Sequence, residues 1–236
     1  MKQVYQRAMF FPSLLGIFIN PFYFSRKGLA RSLSLLAPQV TGKVLDVGCG
    51  NKPYRDLYRA DEYVGLEIDT PENRAAKAAD YYYQGDTFPF DSQTFDSVVS
   101  NQVFEHVPDP DRFLNEISRV LRDDGMLLIT APFVWDEHEQ PHDYTRYSSF
   151  GMISILNRHG FEVLELRKSV DDIRMVFQLL GAYIYKRTLT GSRIVNLFLT
   201  VLLIAPVNIT GEIVSWITPR NPDLYLDNIV LARKQS

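Results

Sequence analysis

The chain has 236 residues, 46% of them hydrophobic, 22% charged and 13% aromatic. That is enough for one domain with an appendage and a real apolar core, and it excludes a disordered chain, a collagen-like repeat and a disulfide-stapled scaffold. The single cysteine, Cys49, leaves no internal disulfide and points to a reducing compartment. A net charge of −3 argues against a nucleic-acid partner, because phosphate binding needs a basic surface.

The charge is unevenly placed. Residues 1–43 hold six basic and no acidic side chains, residues 44–172 hold 12 basic and 25 acidic, and residues 173–222 hold five basic against Glu212 alone. Four stretches are expected: a basic apolar helical segment (1–41), an acidic core (42–169), an apolar helical insertion (170–222), and a last core strand (223–236).

In chain order, Ala8–Ser25 carries no charge but contains Pro12 and Pro21 and lacks a cleavage signature, so it is not read as a signal peptide. Apolar runs at 42–47, 63–68, 95–100, 126–131 and 161–166 predict strands buried on both faces. Asp109-Pro110-Asp111 opens a helix whose apolar face holds Phe113, Leu114, Ile117, Val120 and Leu121, and Asp123-Asp124-Gly125 is expected to stop it. A second helix is predicted over 148–158, closed by Gly160. Within the insertion, 194–211 is uncharged yet interrupted by Asn196, Thr200, Pro206, Asn208 and Thr210, which makes it a marginal membrane span. The last strand is placed at 224–232. This alternation predicts an α/β fold, a parallel sheet covered by helices on both faces.

The chemistry begins at Val44-Leu45-Asp46-Val47-Gly48-Cys49-Gly50-Asn51-Lys52-Pro53-Tyr54. A buried strand entering a glycine turn lets backbone approach a ligand closely. Glu67 follows 17 residues after Gly50, at the end of the second strand, where a carboxylate can accept hydrogen bonds from both hydroxyls of a ribose. The bare alternative is a structural turn and a solvated glutamate.

Asp46-Val47-Gly48-Cys49-Gly50 resembles motif I of class I S-adenosylmethionine-dependent methyltransferases, small-molecule branch. Four further blocks follow in the family's order: Gly85–Phe90 (third strand), Phe95–Asn101 (fourth strand), Glu105-His106-Val107, and Arg119–Gly125. The resemblance implies a doubly wound seven-stranded sheet with an antiparallel last strand, and S-adenosyl-L-methionine as cofactor. It implies a donor site from Asp46, Gly48, Gly50, Lys52, Glu67, Asp86, Thr87 and Asn101, with Asp86 at the adenine and Asn101 beneath the methionine part. Lys52 stands where the motif commonly has a third glycine and is a candidate partner for the methionine carboxylate. Pro53 stands where a nicotinamide dehydrogenase would have its last glycine, which disfavours that fold-level competitor.

The block 132–147 (PFVWDEHEQPHDYTRY) follows the fifth strand and crowds two imidazoles, four carboxylates, a guanidinium and four aromatic rings at the rim. His138-Glu139-Gln140-Pro141-His142 matches the zinc-protease pattern, but Pro141 would break the helix that pattern requires at a cost of ~3 kcal/mol. No metal set is expected. The block suits a hydroxyl-rich acceptor, and it resembles one seen in methyltransferases associated with bacterial cell-surface polysaccharide genes, as do Asn51–Tyr54 and Asn20–Tyr23. The alternative is structural: Asp143 pairing with Arg146 to pin the loop, with Tyr144 and Tyr147 packed on it. Methylating a hydroxyl needs a proton acceptor, and His138, His142 and His106 are the catalytic candidates. His159 reads as a helix-end residue.

The basic, aromatic flanks suit an interfacial membrane contact, a lid, or a homodimer surface. The expectation is an O-methyltransferase of a cell-envelope saccharide or lipid-linked precursor, in the cytoplasm or at the inner face of the cytoplasmic membrane. The alternatives are methylation of a quinone or other lipid, and a non-catalytic cofactor-binding scaffold.

Overall fold

The computed structural model describes residues 8–236. The described chain forms two compact units: residues 32–167 with 228–236, and residues up to 31 with 168–227.

The first unit carries a seven-stranded sheet: β1 (Thr41–Val47), β2 (Arg59–Ile68), β3 (Tyr81–Tyr83), β4 (Phe95–Asn101), β5 (Leu121–Pro132), β6 (Phe161–Lys168) and β7 (Asp227–Lys234). Their order is β3-β2-β1-β4-β5-β7-β6. The pairings of β1 with β2 and β4, of β2 with β3, and of β4 with β5 are parallel, and the last strand runs antiparallel. Strand order reverses between β1 and β4, which places the crevice of a doubly wound sheet at their carboxyl ends.

Each apolar run noted in the sequence becomes a strand, and in the central strands β1, β4 and β5 both faces are covered, whereas the edge strand β6 buries only Phe161. Leu45, Val98, Val99, Leu127, Leu128 and Ile129 are fully buried, and each such side chain contributes ~1.5–3 kcal/mol relative to exposure. The helix after β4 spans Pro110–Val120 with Asp109 capping the Arg112 amide at 3.0 Å, and it lays Phe113, Leu114, Ile117 and Val120 into this core. It ends earlier than expected. Leu121 already pairs with Phe95, and Asp123-Asp124-Gly125 becomes an irregularity inside β5, with Asp124 at φ 61°. The helix Ser149–Arg158 starts where expected, its Ser148 cap accepting from the Gly151 amide at 3.3 Å.

The third strand is the tyrosine triplet 81–83, just upstream of the block assigned to it in the sequence; residues 85–90 form the loop beyond it. Arg119 clips that loop in place, donating to the carbonyls of Phe90 (2.7 Å) and Phe88 (3.1 Å) while pairing with Glu116, whose carboxylate accepts from the Phe88 amide at 2.7 Å.

The second unit is helical. It contains Gly16–Ile19, most of the helix that begins at Tyr23, then Arg174–Thr188 and a continuous helical stretch from Arg193 to Ile217. Pro206 does not end that last helix. A π turn over Thr200–Ile204 precedes it, closed by the Ala205 amide on the Thr200 carbonyl, and absorbs the missing donor. Buried amides tie this unit together. Gln178 donates to the Pro21 carbonyl (3.0 Å) and accepts from the Ser25 amide (3.1 Å), while Asn208 donates to the Ile17 carbonyl (2.9 Å). Gly211 allows close packing, since a methyl group there would meet the Phe177 side chain at 2.9 Å. Glu212 is shared by Lys27 (3.1 Å) and Arg174 (3.4 Å). The early basic segment and the late insertion are thus parts of one unit.

Candidate active site

Where β1 ends, the chain turns through Gly48 (φ 71°), Gly50 (φ 48°) and Lys52 (φ 52°). A side chain at Gly48 would strike Val103 at 2.3 Å, whereas Gly50 faces open space, leaving its backbone accessible. The Glu67 carboxylate bridges this turn to the tip of β2: Oε2 accepts from the Gly50 amide at 2.9 Å and Oε1 from the Ile68 amide at 3.0 Å. The expected carboxylate is therefore beside the glycine turn.

Asp46 is buried and accepts from the Tyr63 hydroxyl at 2.5 Å; burial pushes its carboxyl up to about 7. Tyr63 stacks on Tyr58, and Tyr58 accepts from Asn101 Nδ2 at 3.1 Å. Asn101 Oδ1, at the end of β4, is buried without a hydrogen-bond partner, an acceptor available to a donor group of a ligand. Lys52 turns away from the expected role. Its ammonium lies on Asp80 Oδ2 at 2.6 Å, and Asp80 also accepts from the Gly65 amide at 2.7 Å. Asp86 and Thr87 are exposed on the clipped loop, with Arg112 3.8 Å from Asp86. Carboxylate, open glycine backbone and unsatisfied amide oxygen are the donor set a ribosyl and amino-acid-bearing cofactor requires, so these residues fit S-adenosylmethionine.

The loop after β5 is not helical, so the zinc-protease spacing forms no protease site. The loop is pinned instead at three points. The Tyr144 amide donates to the Glu105 carbonyl (2.8 Å), Asn228 Nδ2 donates to the Tyr147 carbonyl (2.7 Å), and Tyr147 stacks on Phe104 at 5.3 Å. Asp143 pairs with Arg146 through both guanidinium nitrogens and accepts from the His138 amide at 3.0 Å, as the structural alternative anticipated. The Arg146 guanidinium holds the Asp143 carboxyl down at about 2. Tyr144, by contrast, is exposed.

Two of the three histidine candidates meet. The rings of His106 and His138 are 4.7 Å apart, edge to face, over the fully buried side chain of Glu105. Their Nε2 atoms lie 3.7 and 3.8 Å from the same oxygen, Glu105 Oε1. Burial and the neighbouring His106 push the His138 imidazole below its ordinary value, favouring the neutral ring. His142 joins only through its backbone carbonyl, 2.7 Å from His106 Nδ1; its ring is exposed and faces the Tyr144 hydroxyl at 3.1 Å. His159 is a helix-end residue, its Nδ1 2.8 Å from the Ile155 carbonyl and its Nε2 3.1 Å from Asp111. Glu105 was not among the expected site residues. The Glu-His pair in the sequence marked the place, but its role depends on a loop that arrives 33 residues later.

Residues 45–129 match the family model described as a methyltransferase domain. A protein of Mycobacterium sp. (strain KMS) named "Uncharacterized methyltransferase" is 39% identical over 99 residues, 39% of each chain. A Mycobacterium tuberculosis (strain H37Rv) protein named "Probable S-adenosylmethionine-dependent methyltransferase" is 32% identical over 105 residues, 41% of this chain and 38% of that one. The chain thus spans about two fifths of the length of these curated relatives. Among solved structures, the [4+2]-cyclase SpnF superposes with a TM-score of 0.58 at 18% identity, covering 89% of this chain and 82% of that one. The Haemonchus contortus phosphoethanolamine N-methyltransferase 2, solved with S-adenosylhomocysteine, gives 0.54 at 19% identity, covering 94% and 56%. These likenesses establish the Rossmann-like fold, and residues 45–129 are similar to a methyltransferase domain.

Proposed function

We propose that the chain transfers a methyl group from S-adenosylmethionine to a hydroxyl of a small or lipid-linked acceptor, a cell-envelope saccharide or its precursor. The observation that carries the donor half is the Glu67 carboxylate held against the Gly50 amide at 2.9 Å. When bound, the cofactor supplies an activated methyl on a sulfonium, which is most of the driving force. Glu67 would hold its ribose, the open backbone at Gly50 would admit it closely, and Asn101 Oδ1 would take one of its donors. Asp86 and Thr87 extend the edge on the loop clipped by Arg119. The protein's remaining tasks are to orient the acceptor and deal with its proton. The polar loop pinned at Glu105 and Tyr147, with the Glu105, His106 and His138 side chains grouped beneath it, suits a hydroxyl acceptor; His142 is exposed at the same rim.

The helical unit supports a membrane-associated setting at the inner face of the cytoplasmic membrane. Its 25-residue helix Arg193–Ile217 is long and apolar enough to cross a bilayer, and Ile194, Phe198, Leu202, Trp216 and Ile217 are exposed, as is the basic pair Arg187 and Arg193. The same surface favours a second reading, methylation of a quinone or another lipid. A cofactor-binding scaffold without turnover is the non-enzymatic alternative, and the cyclase SpnF illustrates that this fold hosts other chemistry.

Calorimetry with S-adenosylhomocysteine tests the donor half: wild type binds, NAD does not compete, and Glu67→Gln weakens binding by at least about tenfold, as loss of charged hydrogen bonds implies. Binding unchanged in the variant overturns the assignment of Glu67. Methyl transfer from labelled donor to envelope glycan and lipid extracts then separates the acceptor readings.

A further inference from the structure

We propose that Glu105, His106 and His138 form a binding site for a divalent transition-metal ion; the inference rests on the methyl-transfer reading only for what the ion would do there. The three side chains come from two separate loops, after β4 and after β5, and their donor atoms all lie within 4.8 Å of one another. Both imidazoles present Nε2 to one carboxylate oxygen, at 3.7 and 3.8 Å, too far for hydrogen bonds. The outer nitrogens explain why. His106 Nδ1 is 2.7 Å from the His142 carbonyl, and His138 Nδ1 is 3.3 Å from both the Asp136 carbonyl and Asp143 Oδ2. Acceptors at Nδ1 place the ring proton there, so each Nε2 turns a lone pair toward Glu105.

A cation bound between the two Nε2 lone pairs and the Glu105 carboxylate would be attracted by all three. An imidazole whose second nitrogen donates to a carbonyl or carboxylate is also the usual arrangement of a metal-bound histidine. Asp143 is itself fixed by Arg146, so the outer shell is rigid. Bonds of ~2.1 Å at tetrahedral angles put ligand atoms about 3.4 Å apart, so closure requires donor atoms that now lie within 4.8 Å of one another to draw together. Glu139 Oε2, 3.9 Å from His106 Nε2, can supply a fourth ligand. Two nitrogens and one or two carboxylates suit zinc, cobalt, manganese or iron better than magnesium or calcium. The two histidine side chains keep 16% and 27% of their surface exposed, leaving an entry path. In the methyl-transfer reading the acceptor oxygen would bind the ion and release its proton to water. Its O–C bond would then form as the C–S bond breaks, leaving the electron pair on sulfur.

The test is titration of tag-free, chelator-treated full-length protein with Co²⁺, followed by visible d–d absorption and calorimetry. The expected result is saturation at one ion per chain, at least about tenfold weaker in Glu105→Gln and in His138→Gln, and unchanged in His142→Ala, which keeps its carbonyl. Circular dichroism and S-adenosylhomocysteine binding are measured on each sample. If Glu105→Gln does not fold, the loop variant His138→Gln decides. Absence of saturable binding, or binding unaffected by either substitution, overturns the site. Protein that binds S-adenosylhomocysteine but no Co²⁺ overturns the metal site and leaves the donor reading intact; Co²⁺ bound without S-adenosylhomocysteine upholds the site while the donor reading fails.

Discussion

The two units of this protein differ in the polar groups they bury and the apolar side chains they leave exposed. The sheet unit hides its oil: Leu45, Phe104, Ile117, Leu128 and Val230 are fully buried. The helical unit buries Tyr23, Leu29, Met175 and Ile204, and it hides amides among them. Gln178 and Asn208 are completely buried and Asn20 nearly so, while Ile194, Trp216 and Ile217 are each more than 80% exposed and Leu14 77%. Water rewards the first arrangement and penalises the second, and under the proposed reading the surface of the helical unit meets a less polar neighbour. The sheet unit holds the candidate site, and the helical unit holds the exposed apolar surface.

Substitutions that attack each interior should break the comparison most visibly. Leu45→Ala empties part of the sheet core and should lower stability by ~2–5 kcal/mol, read from denaturant unfolding followed by far-ultraviolet circular dichroism. Gln178→Leu should cost ~1–3 kcal/mol despite adding an apolar side chain, because the Ser25 amide and Pro21 carbonyl lose their partner; a stabilised variant would refute the idea that amides hold this unit together.

A pH experiment sharpens the same contrast inside the sheet unit. Asp46 has its carboxyl raised from 3.8 to about 7 by burial, so the folded chain binds its proton more tightly than the unfolded chain does. Its contribution to stability is complete below about pH 4 and is lost as pH rises through about 7. Between those limits wild type should lose up to about 1.4 kcal/mol per pH unit relative to Asp46→Asn, and parallel pH profiles for the two proteins would contradict the assignment. The smallest effect on stability is expected from Trp216→Ser with Ile217→Ser, within about 0.5 kcal/mol in water. The same pair should reduce flotation with anionic liposomes, and unaltered flotation would remove the apolar surface from the attachment mechanism.

Much of the sheet unit was legible because its strands are short runs of Val, Leu and Ile between glycines, and a buried parallel strand demands that composition. Tyr81–Tyr83 escaped, being only three residues long and partly exposed. Glu67 was legible from its spacing, since the end of β2 fixes where its carboxylate stands. Lys52 was not, because nothing local announces that Asp80 will face it from 28 residues away. The grouping of Glu105, His106 and His138 was half visible. Each loop could be found, but their convergence depends on Tyr144 bonding back to the Glu105 carbonyl, a long-range contact that periodicity does not encode. Asn208 misled in an instructive way: it looks like an interruption of an apolar helix, and it is that helix's bond to the Ile17 carbonyl.

That last bond has a consequence for how the chain is made. Ile17 and Pro21 leave the ribosome long before Asn208 and Gln178, the side chains that will hold them, since residue 168 follows residue 31 by 137 positions. At ~5–20 residues per second, that gap lasts roughly 7–27 s. Throughout it the early greasy segment has none of its later partners, and a chaperone or a nearby bilayer would have to shelter it until synthesis catches up.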